Sequence, residues 1–224
     1  VVERLAEGEP KYGISTGFGA LANVSIPPER RRDLQTALVR SHAAGMGDPV
    51  ENEVVRAMIL LRARTLALGS SGARPLVAQA MIDLLNAQIT PMVPEYGSLG
   101  ASGDLAPLAH GALALLGEGQ VFYADAWRPA AEALDAAGLA PISLVEKEGL
   151  AVTNGTDAIL GMLCLAIDDS ERLLQQADMV TALTVEGLLA TDGPFAADLQ
   201  ALRPQPGQAI SAANLRALLH DSPI

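Results

Sequence analysis

A mainly α-helical protein is predicted by two observations: apolar residues recur every three or four positions through several long segments, and alanine and leucine dominate those segments. A length of 224 residues, 50% of them hydrophobic and 18% charged, suits one globular domain or one large piece of a bigger one. Pro27, Pro28 and Glu29 open a helix that runs to about Ala44, with Arg30, Arg31 and Arg32 on a solvated face and an apolar stripe at Leu34, Leu38 and His42. A second helix is expected from about Val50 to Leu68, with Val54, Met58, Leu61, Thr65 and Leu68 on one side, until Gly69-Ser70-Ser71-Gly72 stops it. A third, from about Pro75 to Gln88, is closed by the proline-punctuated Thr90 to Pro94. The next helix starts near Asp104. Gln120 to Pro129 holds the Phe122-Tyr123 pair and the single tryptophan, Trp127, around a turn at Asp125, and reads as a short β-hairpin on the helical body. Helices are then expected over Thr156 to Gln176 and Asp178 to Ala190. The proline-rich stretch Arg203 to Gly207 leads to a last amphipathic segment, Ala212 to Leu219.

Charge narrows the partners. With 26 acidic against 15 basic residues, the formal charge is −11, which disfavours binding to nucleic acid or to an anionic membrane. Charge-free runs such as Leu105 to Leu116 fall short of the roughly 20 apolar residues of a spanning helix. The lone Cys164 lies in the apolar run Ala158 to Ile167 and reads as a packing residue in a reducing, cytoplasmic setting. The opening Val1-Val2-Glu3-Arg4 shows no targeting pattern and reads as the start of a trimmed or partial sequence.

Two segments concentrate glycine where a helical bundle would want alanine and leucine. Tyr12-Gly13-Ile14-Ser15-Thr16-Gly17-Phe18-Gly19 can hold a tyrosine hydroxyl over a site, because its glycines permit positive φ and close backbone approach. An ordinary surface loop has the same composition. The second segment runs from Gly97 through Ala101-Ser102-Gly103-Asp104 to His110. Read blandly, it is a loop whose Ser102 or Asp104 caps the following helix. Read chemically, a tight bend lets the Gly103 nitrogen attack the Ala101 carbonyl carbon. Loss of water from that ring and from Ser102 then leaves a conjugated methylidene-imidazolone (MIO), an electrophile no ordinary side chain provides.

This Ala-Ser-Gly-Asp core, in its Gly-Ser-Leu-Gly and Leu-Ala-Pro-Leu-Ala-His surroundings, closely resembles the aromatic amino-acid ammonia-lyase family. Three further blocks match it in order: the loop at Tyr12, the Val39 to Gly47 segment with His42, and Glu148 to Ala158 with Asn154. The Ser41-His42 pair resembles the branch of the family that acts on histidine. The resemblance implies a long-helix bundle of the fumarase/aspartase-like type, an L-histidine substrate, urocanate and ammonia as products, and no metal or external cofactor. By the same resemblance Ala101, Ser102 and Gly103 form the MIO, and Tyr12 is the base for the substrate's β proton. Asn154 hydrogen-bonds the group or the substrate, and His42 recognises the imidazole. Asp104, Gly19 and Leu105 support the site. A phenylalanine or tyrosine ammonia-lyase, or an aminomutase with the same group, is the nearest alternative, and a non-catalytic helical assembly module is the alternative of another class.

Each residue also has a plain structural reading. A histidine on an apolar helix face is often a satisfied core residue, and Asn154-Gly155-Thr156 also reads as a turn and an N-cap. His110 is expected to be structural. Family members are longer homotetramers, so residues 1–224 are expected to be a single MIO-bearing helical region lacking the family's extreme N-terminus. Its C-terminal half, with another tyrosine, a carboxylate-binding arginine and an acidic residue, is expected to be missing as well.

Overall fold

A computed structural model describes residue 2, residues 9–99 and residues 102–222. The chain divides into two compact units, Val1–Leu163 and Cys164–Ile224.

In the first unit, helix α1 (Arg31–His42) is followed by strand β1 (Met46–Pro49) and helices α2 (Asn52–Ala67) and α3 (Pro75–Asn86). Pro75 occupies the first turn of α3, where its missing N–H costs nothing. Strands β2 (Thr90–Pro91) and β3 (Pro94–Tyr96) lead to α4 (Leu105–Leu115), then to β4 (Gln120–Tyr123), β5 (Ala126–Pro129), α5 (Ala130–Ala136) and α6 (Glu148–Thr153). Helix α7 (Asp157–Gly187) starts here and is 31 residues long. Helix α2 packs along α3, while α1, α4 and α6 pack on one another. Met58, Ile59, Met81, Leu84 and Ile89 are each almost wholly buried in one core.

The expected hairpin is present. Ala124 and Asp125 both have positive φ, +49° and +58°, the conformation that a two-residue turn needs to follow the strand twist. Two pairings were not legible: β2 adds to β4 to complete a sheet of order β2-β4-β5, and β1 pairs antiparallel with β3. Both use residues beside prolines, which hid them as punctuation.

Several expectations are corrected. The buried faces of the first two helices are turned by about one residue. In α2 the buried set is Val55, Met58, Ile59, Arg62, Ala63 and Leu66, while Leu68 is 72% exposed. In α1 it is Arg31, Gln35, Leu38 and Val39, so Arg31 is not a solvated residue; its Nε donates to the Ile26 carbonyl. In α2 the cause is Arg62, whose buried guanidinium is paired; in α1 it is Gln35, whose Oε1 accepts from the Gly149 amide while its Nε2 has no hydrogen-bond partner among the described residues. Helix α7 is continuous where a break near Gln176 was expected. Cys164 is exposed rather than packed. The span Glu148–Gly187 is also long and apolar enough for a membrane by length and composition alone, although non-helical backbone at Asn154 to Thr156 divides it.

In the second unit, the later turns of α7 are followed by α8 (Ala197–Ala201) and α9 (Pro206–Leu218). Ala182, Leu215 and Leu219 form a small buried cluster with Val185 and Phe195 against it. The last amphipathic segment therefore begins at Pro206, earlier than its apolar stripe suggests.

Candidate active site

The bend Ser102-Gly103-Asp104 lies at the start of α4. Gly103 has φ +82°, which calls for glycine, and a Cβ there would sit tightly, 3.2 Å from Ile159 Cδ1 and 3.4 Å from Thr156 Cγ2. The Gly103 carbonyl accepts from the Leu99 amide at 2.8 Å, which closes the loop. Asp104 takes the N-cap position of α4 but makes no side-chain bond to it. Its wholly buried carboxylate instead accepts from Ser98 Oγ at 2.7 Å and from the Ile159 amide at 2.9 Å. Asp104 thus caps the first turn of α7, where a negative group is favoured by orphan amides and the helix dipole alike. Ser102 is half-buried, and its hydroxyl has no hydrogen-bond partner among the described residues. Ala101 lies outside the described residues. Leu105, the first residue of α4, is half-buried.

Asn154 ends α6, with its amide donating to the Leu150 carbonyl at 3.1 Å. It caps nothing: its side chain is exposed and has no hydrogen bond among the described residues. The next residue touches the bend directly, because the Gly155 carbonyl accepts from the Asp104 amide at 3.0 Å. Beneath this turn lies Arg62 of α2, only 5% exposed. Its Nε donates to the Ala151 carbonyl at 3.0 Å, Nη2 to the Asn154 carbonyl at 2.8 Å, and Nη1 to Asp157 Oδ2 at 2.9 Å. A Cβ on Gly155 would collide with both Arg62 Nη1 and Asp157 Oδ2.

His42 is the last residue of α1 and is half-buried. Its Nδ1 lies 2.9 Å from the Leu38 carbonyl and 3.1 Å from Ser41 Oγ, and that hydroxyl itself donates to the same carbonyl at 2.9 Å. A carbonyl can only accept, so the network assigns the proton to Nδ1 and leaves Nε2 of neutral His42 as an acceptor. Three residues on, the Gly45 amide donates to His110 Nε2 at 3.1 Å. Burial lowers the His110 pKa, which keeps that nitrogen an acceptor. A Cβ on Gly97 would lie 3.3 Å from Gly45 Cα, so the chain after His42 and the glycine-rich segment before the bend are in close contact.

The phenolic oxygen of Tyr12 accepts from the Gly19 amide at 3.2 Å, and Phe18 meets the ring edge-on with centroids 6.0 Å apart. Gly19 has φ +53°. Tyr12 is 53% exposed. Its loop leans on α6, since a Cβ on Gly13 would lie 3.0 Å from Leu150 Cδ2. The structure therefore joins the Asn154 turn to the bend by a hydrogen bond, His42 to it through Gly45, Gly97 and His110, and the Tyr12 loop to α6. No hydrogen bond among the described residues runs from Tyr12 to His42, Asn154 or Ser102. Among those residues no group of three or more His, Cys, Asp or Glu could hold a metal ion. Arg62 and Ser98 were missed by sequence reasoning. The one available signal for Arg62 was an arginine within an apolar helical stripe.

A helical scaffold thus sets this bend against this Asn-Gly turn. The chain belongs to the aromatic amino acid lyase family, whose model matches residues 1–224. It is 58% identical over 224 residues to histidine ammonia-lyase of Streptomyces coelicolor, covering 99% of this chain and 44% of that protein. Among solved structures, histidine ammonia-lyase from Trypanosoma cruzi superposes with a TM-score of 0.89 at 37% identity, covering 99% of this chain and 43% of that one. Phenylalanine aminomutase of Pantoea agglomerans does so with 0.90 at 32% identity, covering 99% and 42%. The chain thus spans less than half the length of these relatives.

Proposed function

We propose that this chain is the MIO-bearing part of a cytoplasmic ammonia-lyase that converts L-histidine to trans-urocanate and ammonia. The observation that carries the reading is the docking of the Ser102-Gly103-Asp104 bend on the Asn154 turn through the 3.0 Å bond from the Asp104 amide to the Gly155 carbonyl. The bend fits the group that Ala101, Ser102 and Gly103 would form: Gly103 has positive φ and little room for a Cβ, and the Ser102 hydroxyl has no hydrogen bond to lose among the described residues. That group supplies an electrophilic methylidene carbon, which side chains lack.

The remaining roles belong to the chain's own residues. Tyr12 takes the substrate's β proton on its phenolic oxygen, which the Gly19 amide already holds as a donor. The ammonium group leaves from the α carbon as the double bond forms. Asn154 presents a carboxamide with no competing hydrogen bond among the described residues. His42 offers Nε2 as an acceptor for an imidazole N–H of the substrate. Asp104 holds the bend, and Leu105 starts α4, whose N-terminal amides point a positive potential at it. The exposed apolar side chains of α7, Leu160, Leu163, Ile167 and Leu174 among them, support assembly with further copies into a homotetramer.

The aminomutase superposes as well as the histidine lyase does, so the overall fold does not choose between them, and the preference for histidine in this reading rests on His42. Exchange of His42 for leucine is expected to lower turnover of histidine selectively; unchanged histidine turnover would point to another aromatic substrate. The decisive test of the chemistry is the intact mass of the denatured protein with a peptide map cut at glutamates, because no Lys or Arg lies between Arg74 and Arg128. A deficit of two waters, about 36 Da, localised to Ala101-Ser102-Gly103 is expected. An unmodified mass in the full natural protein would favour a non-catalytic assembly module.

A further inference from the structure

We infer that Arg62 is a positioning residue for this site, setting the Asn154 carboxamide against the Ser102-Gly103 bend by moulding the turn that carries both contacts. The inference rests on the reading of Asn154 and the bend as the reacting centre. Three observations carry it. One guanidinium bonds the Ala151 and Asn154 carbonyls at the end of α6 and the Asp157 carboxylate at the start of α7, so it fixes both sides of the turn. The planar fork of arginine meets this arrangement of acceptors, whereas a lysine ammonium keeps the charge but cannot span it. The residue between the two sides is glycine because Arg62 and Asp157 occupy the space of its Cβ.

What the turn presents makes this more than packing. Its outward side chain, Asn154, is exposed and has no hydrogen bond among the described residues, so among them only the backbone orients it. The same turn delivers the Gly155 carbonyl to the Asp104 amide at 3.0 Å, and therefore sets the distance between carboxamide and bend. Arg62 is 5% exposed and among the described residues bonds the Ala151 and Asn154 carbonyls and the Asp157 carboxylate, so its influence on the Asn154 side chain runs through the turn.

The test uses the full natural protein with Arg62→Lys, Asn154→Ala and the double variant, read by intact mass, thermal unfolding, and kcat and KM for histidine. Arg62→Lys is expected to retain the deficit of about 36 Da. It should lose about tenfold or more in kcat with KM changed by less than about threefold, as a displaced reacting partner would cause. In the Asn154→Ala background the same change is expected to lose less than about threefold, because the group Arg62 positions is already gone. A kcat within about twofold of wild type for Arg62→Lys, or full additivity in the double variant, would overturn the inference. If Arg62→Lys does not fold, Gly155→Ala decides in its place: it keeps the guanidinium but displaces the turn, so the same loss of kcat is expected, and wild-type kinetics would overturn the inference. Absence of the mass deficit in the wild-type protein would instead remove the underlying reading, before any Arg62 variant is compared.

Discussion

Replacing Asp104 by alanine and by asparagine separates the two things its carboxylate does. Alanine removes the acceptor for Ser98 Oγ at 2.7 Å and for the Ile159 amide at 2.9 Å, both at a residue with no exposed surface. Hydrogen bonds to a charged group contribute about 1.5–3 kcal/mol each, and a negative group at a helix N-terminus adds about 0.5–1 kcal/mol. Allowing for non-additivity, Asp104→Ala should cost about 3–5 kcal/mol. Asparagine keeps the shape. Its carbonyl oxygen can hold the Ile159 amide while its amino group donates to Ser98, whose hydroxyl turns from donor to acceptor. Only the charge is lost, for about 1–1.5 kcal/mol. The assay is urea unfolding followed by fluorescence of the single tryptophan, Trp127, which reports the first unit. With a slope of about 2–3 kcal/mol/M, the midpoint should fall by about 1.5 M for alanine and about 0.5 M for asparagine. Equal losses for the two variants, or a neutral alanine, would refute the assignment of Asp104 as the cap of α7.

Three further outcomes follow from the same structure. Glu148 is wholly buried and accepts from the Arg74 amide, Nε and Nη2 and from the Val145 amide, so Glu148→Ala should cost about 2–4 kcal/mol in the same assay. The loss stays below that of a fully buried pair because the Arg74 side chain is 43% exposed and can rehydrate. Ser102→Ala should shift the unfolding free energy by less than about 0.5 kcal/mol while abolishing the mass deficit. Because burial lowers the His110 pKa from its usual 6.5, the unfolded chain takes up a proton that the folded one resists; stability is full above that pH and falls as the pH drops below it. Thermal midpoints measured between about pH 7 and pH 5 should therefore decline, and the decline should flatten in His110→Gln, whose amide oxygen can still accept from Gly45.

The legible part of the protein was local. The bend, the Tyr12 loop and the Asn154 turn are contiguous runs whose glycines mark them, and the hairpin follows from a two-residue turn between strand-forming residues. Helix existence was legible because periodicity is a property of neighbours in sequence. Helix faces were not. Arg62 and Gln35 are buried by partners elsewhere in the chain: Arg62 reaches acceptors 89 to 95 residues away, and Gln35 Oε1 takes the Gly149 amide 114 residues on. A polar residue with a distant partner counts as surface in any periodicity reading, which is why both stripes were displaced by about one position. Asp104 misled in a similar way. Its place before a helix suggested the cap of α4, and only tertiary structure reveals the other helix it serves.

That choice of partner also orders events in time. The Asp104 carboxylate is held by an amide 55 residues downstream, and the neighbouring backbone by Gly155. During synthesis the bend emerges well before the residues that shape it, at a rate of about 5–20 residues per second. For those seconds the hydrogen bonds that join Asp104 to Ile159 and Gly155 are not yet made. Its geometry is set only when the start of α7 has arrived and folded against it. If Ala101, Ser102 and Gly103 form the proposed ring, its closure is thereby coupled to successful folding, and a chain that stalls or misfolds before that point would keep an unreacted serine.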